Sequence, residues 1–365
     1  MKSRRQRAAR NSANSKRRRM ADSAEDRKKL CLPHELIFEI LSYLPVKSLL
    51  RFKAVCKFWH EIIRDSIFIE KHRKMQTCLA IACHGDETPT PDTDAAAESS
   101  TTLCFLHGLQ LEKCNSTHTY SIKNPSTKQV LILPSPKDFV LIMTMCFIST
   151  SQEYKLVCLY LDELTHDRLG CEVLTIGADS SWRSIDIPDT SYDSNIYKLR
   201  DCIHIDGVFY IMKDSEYGDS TLICIEMETE QFVQVNIPPN LLSDWDTIWP
   251  IRWDRTTLSV ANIVKQRLHV MKLEDYRKNR WSKNKIDIPL NFLKEFPDLD
   301  EDPYIRAITD DILLFILKAE HAVFYSIKSA SVRYKASAPP GKKLFFVSRS
   351  TLVSLRGMQP VSYIN

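Results

Sequence analysis

Glycine is scarce in this chain of 365 residues: there are eight, and no two are adjacent. That excludes a Gly-rich phosphate loop, and neither a Gly-x-Ser-x-Gly elbow nor a His-Glu-x-x-His helix occurs. The eleven cysteines form an odd set without any Cys-x-x-Cys. A complete disulfide framework is therefore not expected, and with no secretory leader to read, free thiols in a reducing compartment are. Long apolar runs are missing too. The longest, Phe139 to Ile148, is interrupted by Thr144 and falls short of the ~18 to 20 residues that cross a bilayer. A soluble protein is expected.

Acidic residues are absent from residues 1 to 20, which hold nine Lys/Arg. Residues 1 to 29 carry a net charge of +9 and the remainder −5, so the overall +4 belongs to the tail. The rest of the chain gives no electrostatic reason to expect nucleic-acid binding. Too polar to offset its ordering entropy, the 1–29 tail is expected to be disordered. Within it Arg4, Arg5, Lys16, Arg17, Arg18 and Arg19 are spaced like a bipartite nuclear import signal, so a nuclear location is expected, with the cytoplasm as a second option. A generic solvated basic tail, or a transit peptide, is the alternative.

What is abundant is apolar surface between Leu32 and Ile63, where 19 of 32 residues are apolar. Three helices can be read there. The first carries Leu36, Ile37, Ile40, Leu41 and Leu44 and is broken by Pro45. The second, capped by Ser48, carries Leu49, Phe52, Val55 and Cys56; the third carries Phe58, Trp59, Ile62 and Ile63. A module this small rarely folds without a staple or a partner, and a protein partner is the economical explanation.

These residues resemble an F-box, the module that docks a substrate receptor onto the Skp-type adaptor of a cullin-based ubiquitin ligase. The resemblance rests on Leu32-Pro33, Ile40-Leu41, Leu44-Pro45-Val46-Lys47-Ser48-Leu49, Val55-Cys56-Lys57 and Trp59, in order and without a gap. It implies a module over residues 30–75 whose adaptor contacts are Leu32, Pro33, Ile40, Leu41, Leu44, Pro45, Leu49, Val55, Cys56 and Trp59.

From Thr77 onward the helical period gives way to short runs rich in Ile, Val, Phe and Tyr. Examples are Tyr154–Leu161, Glu172–Ile176, Val208–Met212, Leu222–Met227, Leu268–Leu273 and Ile312–Leu317. Residues 84–102, with five acidic and no basic residues, read as a disordered loop. The runs beside it, Cys78–Cys83 and Leu103–Leu111, read as strands of one sheet. Prolines 134, 188, 238, 289 and 339 recur at intervals of 54, 50, 51 and 50. Trp182, Phe232 and Trp281 precede the middle three by six, six and eight residues. A period near fifty with several strands per unit predicts a β-propeller over residues 76–365, of about six blades, with closure of the last by strands from both ends as one option. Each aromatic should begin an outer strand and each proline end it.

This region is similar to the F-box-associated domain of plant F-box proteins. The matches are Gly108-Leu109, Asn124-Pro125-Ser126-Thr127, Tyr154-Lys155-Leu156-Val157, Ser181-Trp182-Arg183, Asp206-Gly207, Glu230-Gln231-Phe232, Val270-Met271-Lys272 and Leu352-Val353-Ser354-Leu355. Phe209-Tyr210 and Gln110 depart from it. Kelch blades, with paired glycines, do not fit, and the two Trp-Asp dipeptides at 245 and 253 lack WD-type context.

Cys104, His107, Cys114 and His118 have zinc-like local spacings, but ordinary core thiols and surface imidazoles explain them better, and no metal or other cofactor is expected. Asp310-Asp311 and Asp300 to Asp302 read as solvated turns rather than acid–base pairs. Trp245, Trp249, Arg252 and Trp253 would suit a substrate-binding hot spot if exposed; the alternative is that Trp249, Ile251 and Trp253 alternate inward as core. The reading is a non-catalytic, substrate-recognition subunit of an SCF-type ligase, which binds the adaptor, and through it a cullin, together with an unidentified protein substrate. Neither nucleic acid nor membrane is expected as a partner. An adaptor-bound nuclear scaffold that delivers no substrate is the alternative.

Overall fold

The computed structural model describes residues 32–75, 80–85, 100–137, 139–161, 169–186, 199–213, 221–238, 248–253, 257–295, 304–307, 311–318, 320–337, 342–347 and 350–361. The basic tail with its import-signal residues, the interior of the acidic segment, Trp245, Pro188 and Pro339 lie outside these. The chain divides into two units, Met1–Thr77 and Cys78–Asn365.

Among the described residues the first unit contains four helices, the three expected between Leu32 and Ile63 and one beyond them: α1 (His34–Ser42), α2 (Val46–Phe52), α3 (Lys57–Arg64) and α4 (Ser66–Met75). Pro33 and Pro45 stand at the N-caps of α1 and α2, where a missing N–H costs nothing. Ser48 is therefore inside α2 rather than its cap, and its N–H donates to the Pro45 carbonyl. Val55 and Cys56 lie beyond α2; Cys56 is extended and caps α3, its Sγ accepting from the Trp59 N–H. The unforeseen α4 is capped by Asp65, whose Oδ1 accepts from the N–H groups of Ile67 (2.8 Å) and Phe68 (3.1 Å).

Among the described residues the second unit holds β1 (Ala80–Gly85) and then five antiparallel sheets in chain order. The first holds β2 (Ser100–Leu106), β3 (Leu109–Cys114), β4 (Tyr120–Asn124) and β5 (Gln129–Ile132). The second holds β6 (Val140–Ile148), β7 (Glu153–Leu161), β8 (Leu169–Thr175) and β9 (Arg183–Ile185), and the third β10 (Leu199–Ile205), β11 (Val208–Lys213), β12 (Thr221–Glu226) and β13 (Gln231–Asn236). The fourth holds β14 (Ile248–Arg252), β15 (Leu258–Val264) and β16 (Arg267–Asp275), with an outer strand in two pieces, β17 (Arg280–Trp281) and β18 (Ile286–Pro289). The fifth holds β19 (Tyr304–Ala307), β20 (Ile312–Leu317), β21 (His321–Ser326) and β22 (Ser331–Ser337). Near the C-terminus β23 (Lys342–Val347) pairs with β1, and β24 (Gln359–Pro360) joins the first sheet beside β5.

The sheets are arranged as propeller blades. First strands of consecutive sheets touch, β2 with β6, β10 with β14, and β14 with β19. The apolar clusters lie between consecutive sheets, so most strands are buried on both faces. In β11, Phe209 and Ile211 face the second sheet, while Val208, Tyr210 and Met212 face the fourth. In β16, Met271 and Leu273 face the third sheet, while Leu268 and Val270 face the fifth. This two-sided burial explains why the predicted strands read as nearly continuous apolar runs, and all six quoted runs fall on strands to within one residue.

Among the described residues there are five sheets of four or five strands plus a two-stranded pairing of β1 with β23, strands that come from the two ends of the domain. The ends of the 84–102 segment are strand, since His84–Gly85 end β1 and Ser100–Thr102 begin β2, while its interior lies outside the described residues. The runs on either side of it belong to different sheets, and Leu103–Leu111 is two strands turned at His107-Gly108, where both φ angles are positive (51° and 85°). Asp206-Gly207 turns β10 into β11 in the same way (46° and 81°). Two consecutive positive φ angles suit the type I′ hairpin, and a Cβ on Gly207 would meet nothing within 4 Å, so backbone conformation alone selects glycine there.

Candidate functional site

The helical unit divides its apolar side chains between two jobs. Leu41, Val46, Leu49, Ile63 and Phe68 are buried and form its small core. α4 is fastened to it by the Phe38–Phe68 edge contact and the Glu39–Lys71 ion pair. The buried His72 adds a third tie, donating Nε2–H to the Leu44 carbonyl at 2.8 Å, and burial lowers its pKa against the opposing pull of that hydrogen bond. Elsewhere on the unit, Leu32 (52% exposed), Leu36 (49%) and Ile40 (51%) stand at successive intervals of four, with Tyr43 and Val55 also exposed. In α1 that spacing places Leu36 and Ile40 in one row, and they give water more apolar area than a two-turn helix needs to.

Of the ten expected adaptor contacts, Leu32, Pro33, Ile40, Pro45, Val55 and Cys56 are exposed, and Leu44 and Trp59 are half-buried. Leu41 and Leu49 are corrected to core residues: Leu41 is one residue, about 100° of helix rotation, past Ile40 and points into the unit. Sequence reasoning left Leu36 and Tyr43 off the list. The four-residue spacing from Leu32 to Ile40 was the available signal for Leu36.

The tryptophan-rich stretch does not form one surface. Trp249 is 7% exposed and, with Ile251, belongs to the core between the fourth and fifth sheets, against which Trp253 packs half-buried. The inward alternation holds, and Trp249 is corrected from a binding residue to a core residue. Arg252 bridges first strands, its guanidinium donating to the His204 carbonyl. Burial, then the Arg252 charge, pushes the His204 imidazole down to about 4.

The zinc-like residues are engaged elsewhere. Cys104 Sγ accepts from the Met145 N–H, His107 Nδ1 bonds the Tyr154 hydroxyl (3.0 Å), and Cys114 Sγ bonds the Ser116 hydroxyl. No group of three or more His, Cys, Asp or Glu side chains able to hold a metal occurs among the described residues, nor among them any helix long and apolar enough to cross a membrane. Asp311 organises a turn, accepting from the Ser326 hydroxyl and the Lys328 N–H.

The motifs that carry the β-domain resemblance meet at the seams between sheets. Lys155, Arg183 and Glu230, from three separate motifs, converge between the second and third sheets. Lys155 Nζ lies 2.9 Å and Arg183 Nη1 2.7 Å from the Glu230 carboxylate. Hydrogen bonding to Arg183 and attraction to Lys155 outweigh burial and hold that carboxyl down to about 2. From the same hairpin Glu226 reaches the other way, to Arg277 and the Tyr276 hydroxyl of the fourth sheet. Trp182 Nε1 donates to the Pro134 carbonyl (2.8 Å) and Trp281 Nε1 to that of Asn236 (3.0 Å), each reaching the sheet before its own. Phe232 packs on the cluster between the second and third sheets, so the three repeated aromatics occupy three successive seams. Trp182 directly precedes β9, Phe232 is the second residue of β13 and Pro289 the last of β18, so these lie on or beside outer strands, whereas Trp281 ends β17 rather than beginning a strand and Pro238 lies two residues past β13.

Two family models match the chain. A family model for an F-box-like domain matches residues 30–73, and one for the F-box associated beta propeller domain matches residues 66–329. Neither is an enzyme family. The chain is similar to an F-box protein of Arabidopsis thaliana, 23% identical over 363 residues that cover 83% of this chain and 88% of the relative. It is also similar to F-box only protein 8 of Arabidopsis thaliana (23% over 243 residues, 57% and 81% covered). A third relative from that plant, 29% identical over 286 residues with 73% and 72% covered, also carries the F-box name. With well over half its length matched, the chain belongs to the family of F-box proteins with an F-box associated β-propeller domain.

Proposed function

We propose that this protein is the substrate-recognition subunit of an SCF-type ubiquitin ligase. The observation that carries the reading is the set of exposed apolar side chains on the helical unit, Leu32, Leu36, Ile40 and Val55, beside a core that Leu41, Leu49 and Ile63 already fill. Such a surface suits a Skp-type adaptor, and through the adaptor a cullin. The propeller would hold the target, and catalysis would be by proximity: tethering raises the local concentration of target lysines near the loaded conjugating enzyme, with no covalent step in this chain. The basic tail would direct the complex to the nucleus.

The test is affinity purification of the full chain from cells treated with a proteasome inhibitor, followed by ubiquitin transfer to the co-purified proteins in a reconstituted reaction. Adaptor and cullin should be recovered together with a protein that becomes modified only when the chain is present. Adaptor capture with no chain-dependent modification would favour the scaffold alternative, and no adaptor capture would overturn both.

A further inference from the structure

The fourth sheet concentrates positive charge at its outer edge. Residues 265 to 289 hold eight Lys/Arg and three Asp/Glu, a net of +5, whereas residues 30 to 365 as a whole carry −5. Most of these cations are exposed, and several are paired: Arg267 with Asp287 (2.8 Å), Arg277 with Glu226 (2.6 Å) and Arg280 with Glu274 (3.2 Å). Lys283 and Lys285 are exposed and have no carboxylate within ion-pair reach among the described residues. Burial first, then the charges of Lys285 and Arg267, lower the pKa of the neighbouring His269 against the pull of Asp287.

The same stretch interrupts the edge strand. Trp281 precedes its proline by eight residues where Trp182 and Phe232 precede theirs by six, and the two extra residues divide the outer strand into β17 and β18. Ser282 stays tied to Lys272, its N–H donating to the Lys272 carbonyl and its hydroxyl accepting from the Lys272 N–H. In β18, residue 288 lies opposite Leu268, and the Leu290 N–H donates to the Gln266 carbonyl. By the two-residue period of a strand, Ile286 and Ile288 then bond inward to β16, and Lys285 and Asp287 turn their amides outward. No strand pairs with that outward side among the described residues. The open run ends at Pro289, which has no N–H and whose carbonyl accepts from the Tyr325 hydroxyl of the fifth sheet.

We propose that this edge binds an extended acidic segment of a partner protein, which adds as a strand alongside residues 283 to 287 and is held by Lys283, Lys285 and Arg280. Main-chain bonds to a sheet edge would supply affinity and the lysines selectivity for Asp, Glu or phosphorylated side chains. A nucleic acid fits less well. Trp281 is half-buried with its Nε1 engaged, so it offers no stacking face, and Glu274, Asp275 and Asp287 lie among the cations and would repel a phosphodiester chain. The inference rests on the reading of the propeller as the target-binding part and names the class of target.

The test uses the full chain in complex with its adaptor and a fluorescein-labelled 12-residue peptide of alternating Glu and Val. Its Gln analogue and a single-stranded oligonucleotide serve as competitors. The peptide should bind, the Gln analogue at least tenfold more weakly. The double change Lys283→Glu and Lys285→Glu should lower affinity at least tenfold, while replacing Lys16 to Arg19 with alanine leaves it within twofold. Hydrogen exchange at the amides of Lys285 and Asp287 should slow when the peptide is present. The proposal is overturned by absence of binding, by unchanged affinity in the edge variant, by loss in the tail variant alone, by no protection of the two amides, or by preferential capture of the oligonucleotide. Adaptor capture is read separately, so a failure here leaves the adaptor reading standing.

Discussion

The side-chain amide of Asn124 donates to the backbone carbonyl of Val353 at 2.7 Å, and at 3.2 Å to that of Thr351, joining segments more than 220 residues apart. Its Oδ1 accepts from the N–H groups of Ser126 and Thr127, and the Ser126 hydroxyl accepts from the Thr351 N–H. Two of the motifs by which the domain resembles its family are therefore one device. An asparagine is needed because a single planar group must accept on one side and donate twice on the other.

Replacing Asn124 with Asp separates these roles. The carboxylate can still accept from the turn, but it presents oxygens to two carbonyls inside a buried site. Asn124→Asp should destabilise the propeller unit by ~1 to 3 kcal/mol or more, and Asn124→Ala by a similar amount. Urea denaturation followed by tryptophan fluorescence would measure both; midpoints equal to the parent's would show that the C-terminal segment contributes nothing to closure.

Glu230 gives a prediction with a definite pH window. Its folded pKa of about 2 lies below the unfolded value near 4.5, so its contribution is fully present above pH 4.5 and is lost as pH falls toward 2. Glu230→Gln leaves the buried Lys155 ammonium without its carboxylate and should cost up to ~3 kcal/mol at pH 6. Parent and variant should approach each other in stability as pH falls from 4.5 and converge only at and below about pH 2. A constant difference across that range would mean that the carboxylate charge is not what holds this seam.

Trp281 tests the seams between sheets. Trp281→Phe retains most of the ring contact but removes the Nε1–H that reaches Asn236, and should cost ~1 kcal/mol. Trp281→Ala also opens a gap at the seam between the third and fourth sheets and should cost ~3 kcal/mol. Both should lower one cooperative transition. A new early transition, with the main one unmoved, would mean that the seams do not share their stability.

How much of this was legible in the sequence depended on whether the information was local. The strand runs and the repeated aromatic and proline were, because two-sided burial and a ladder-free strand end constrain residue type on the spot. α4 was legible in principle: Asp65 caps it, and Glu70, Arg73 and Lys74 pair along it. The division of Ile40 from Leu41 and the burial of Trp249 were not, because apolar residues in one run look alike until tertiary packing decides which face is inside. The period set the number of units only approximately, since it measures spacing, whereas the pairing of β1 with β23 joins strands some 260 residues apart.

The basic tail carries a separate expectation. Replacing Lys16, Arg17, Arg18 and Arg19 with alanine should move a fluorescent fusion of the full chain out of the nucleus without changing its melting temperature. Nuclear accumulation persisting in the variant would reduce the cluster to solvated charge.

The account stands most directly on adaptor capture. The full chain and its Leu32→Ala, Pro33→Ala variant would be titrated against a purified Skp-type adaptor by calorimetry, with melting curves as the folding control. Both residues are exposed, so folding should be unaffected. With each truncated contact at a docked surface costing ~1 to 3 kcal/mol, the parent should bind and the variant should bind at least about tenfold more weakly. Equal affinities in two folded proteins, or no binding by the parent, would contradict the assignment of this apolar surface to the adaptor.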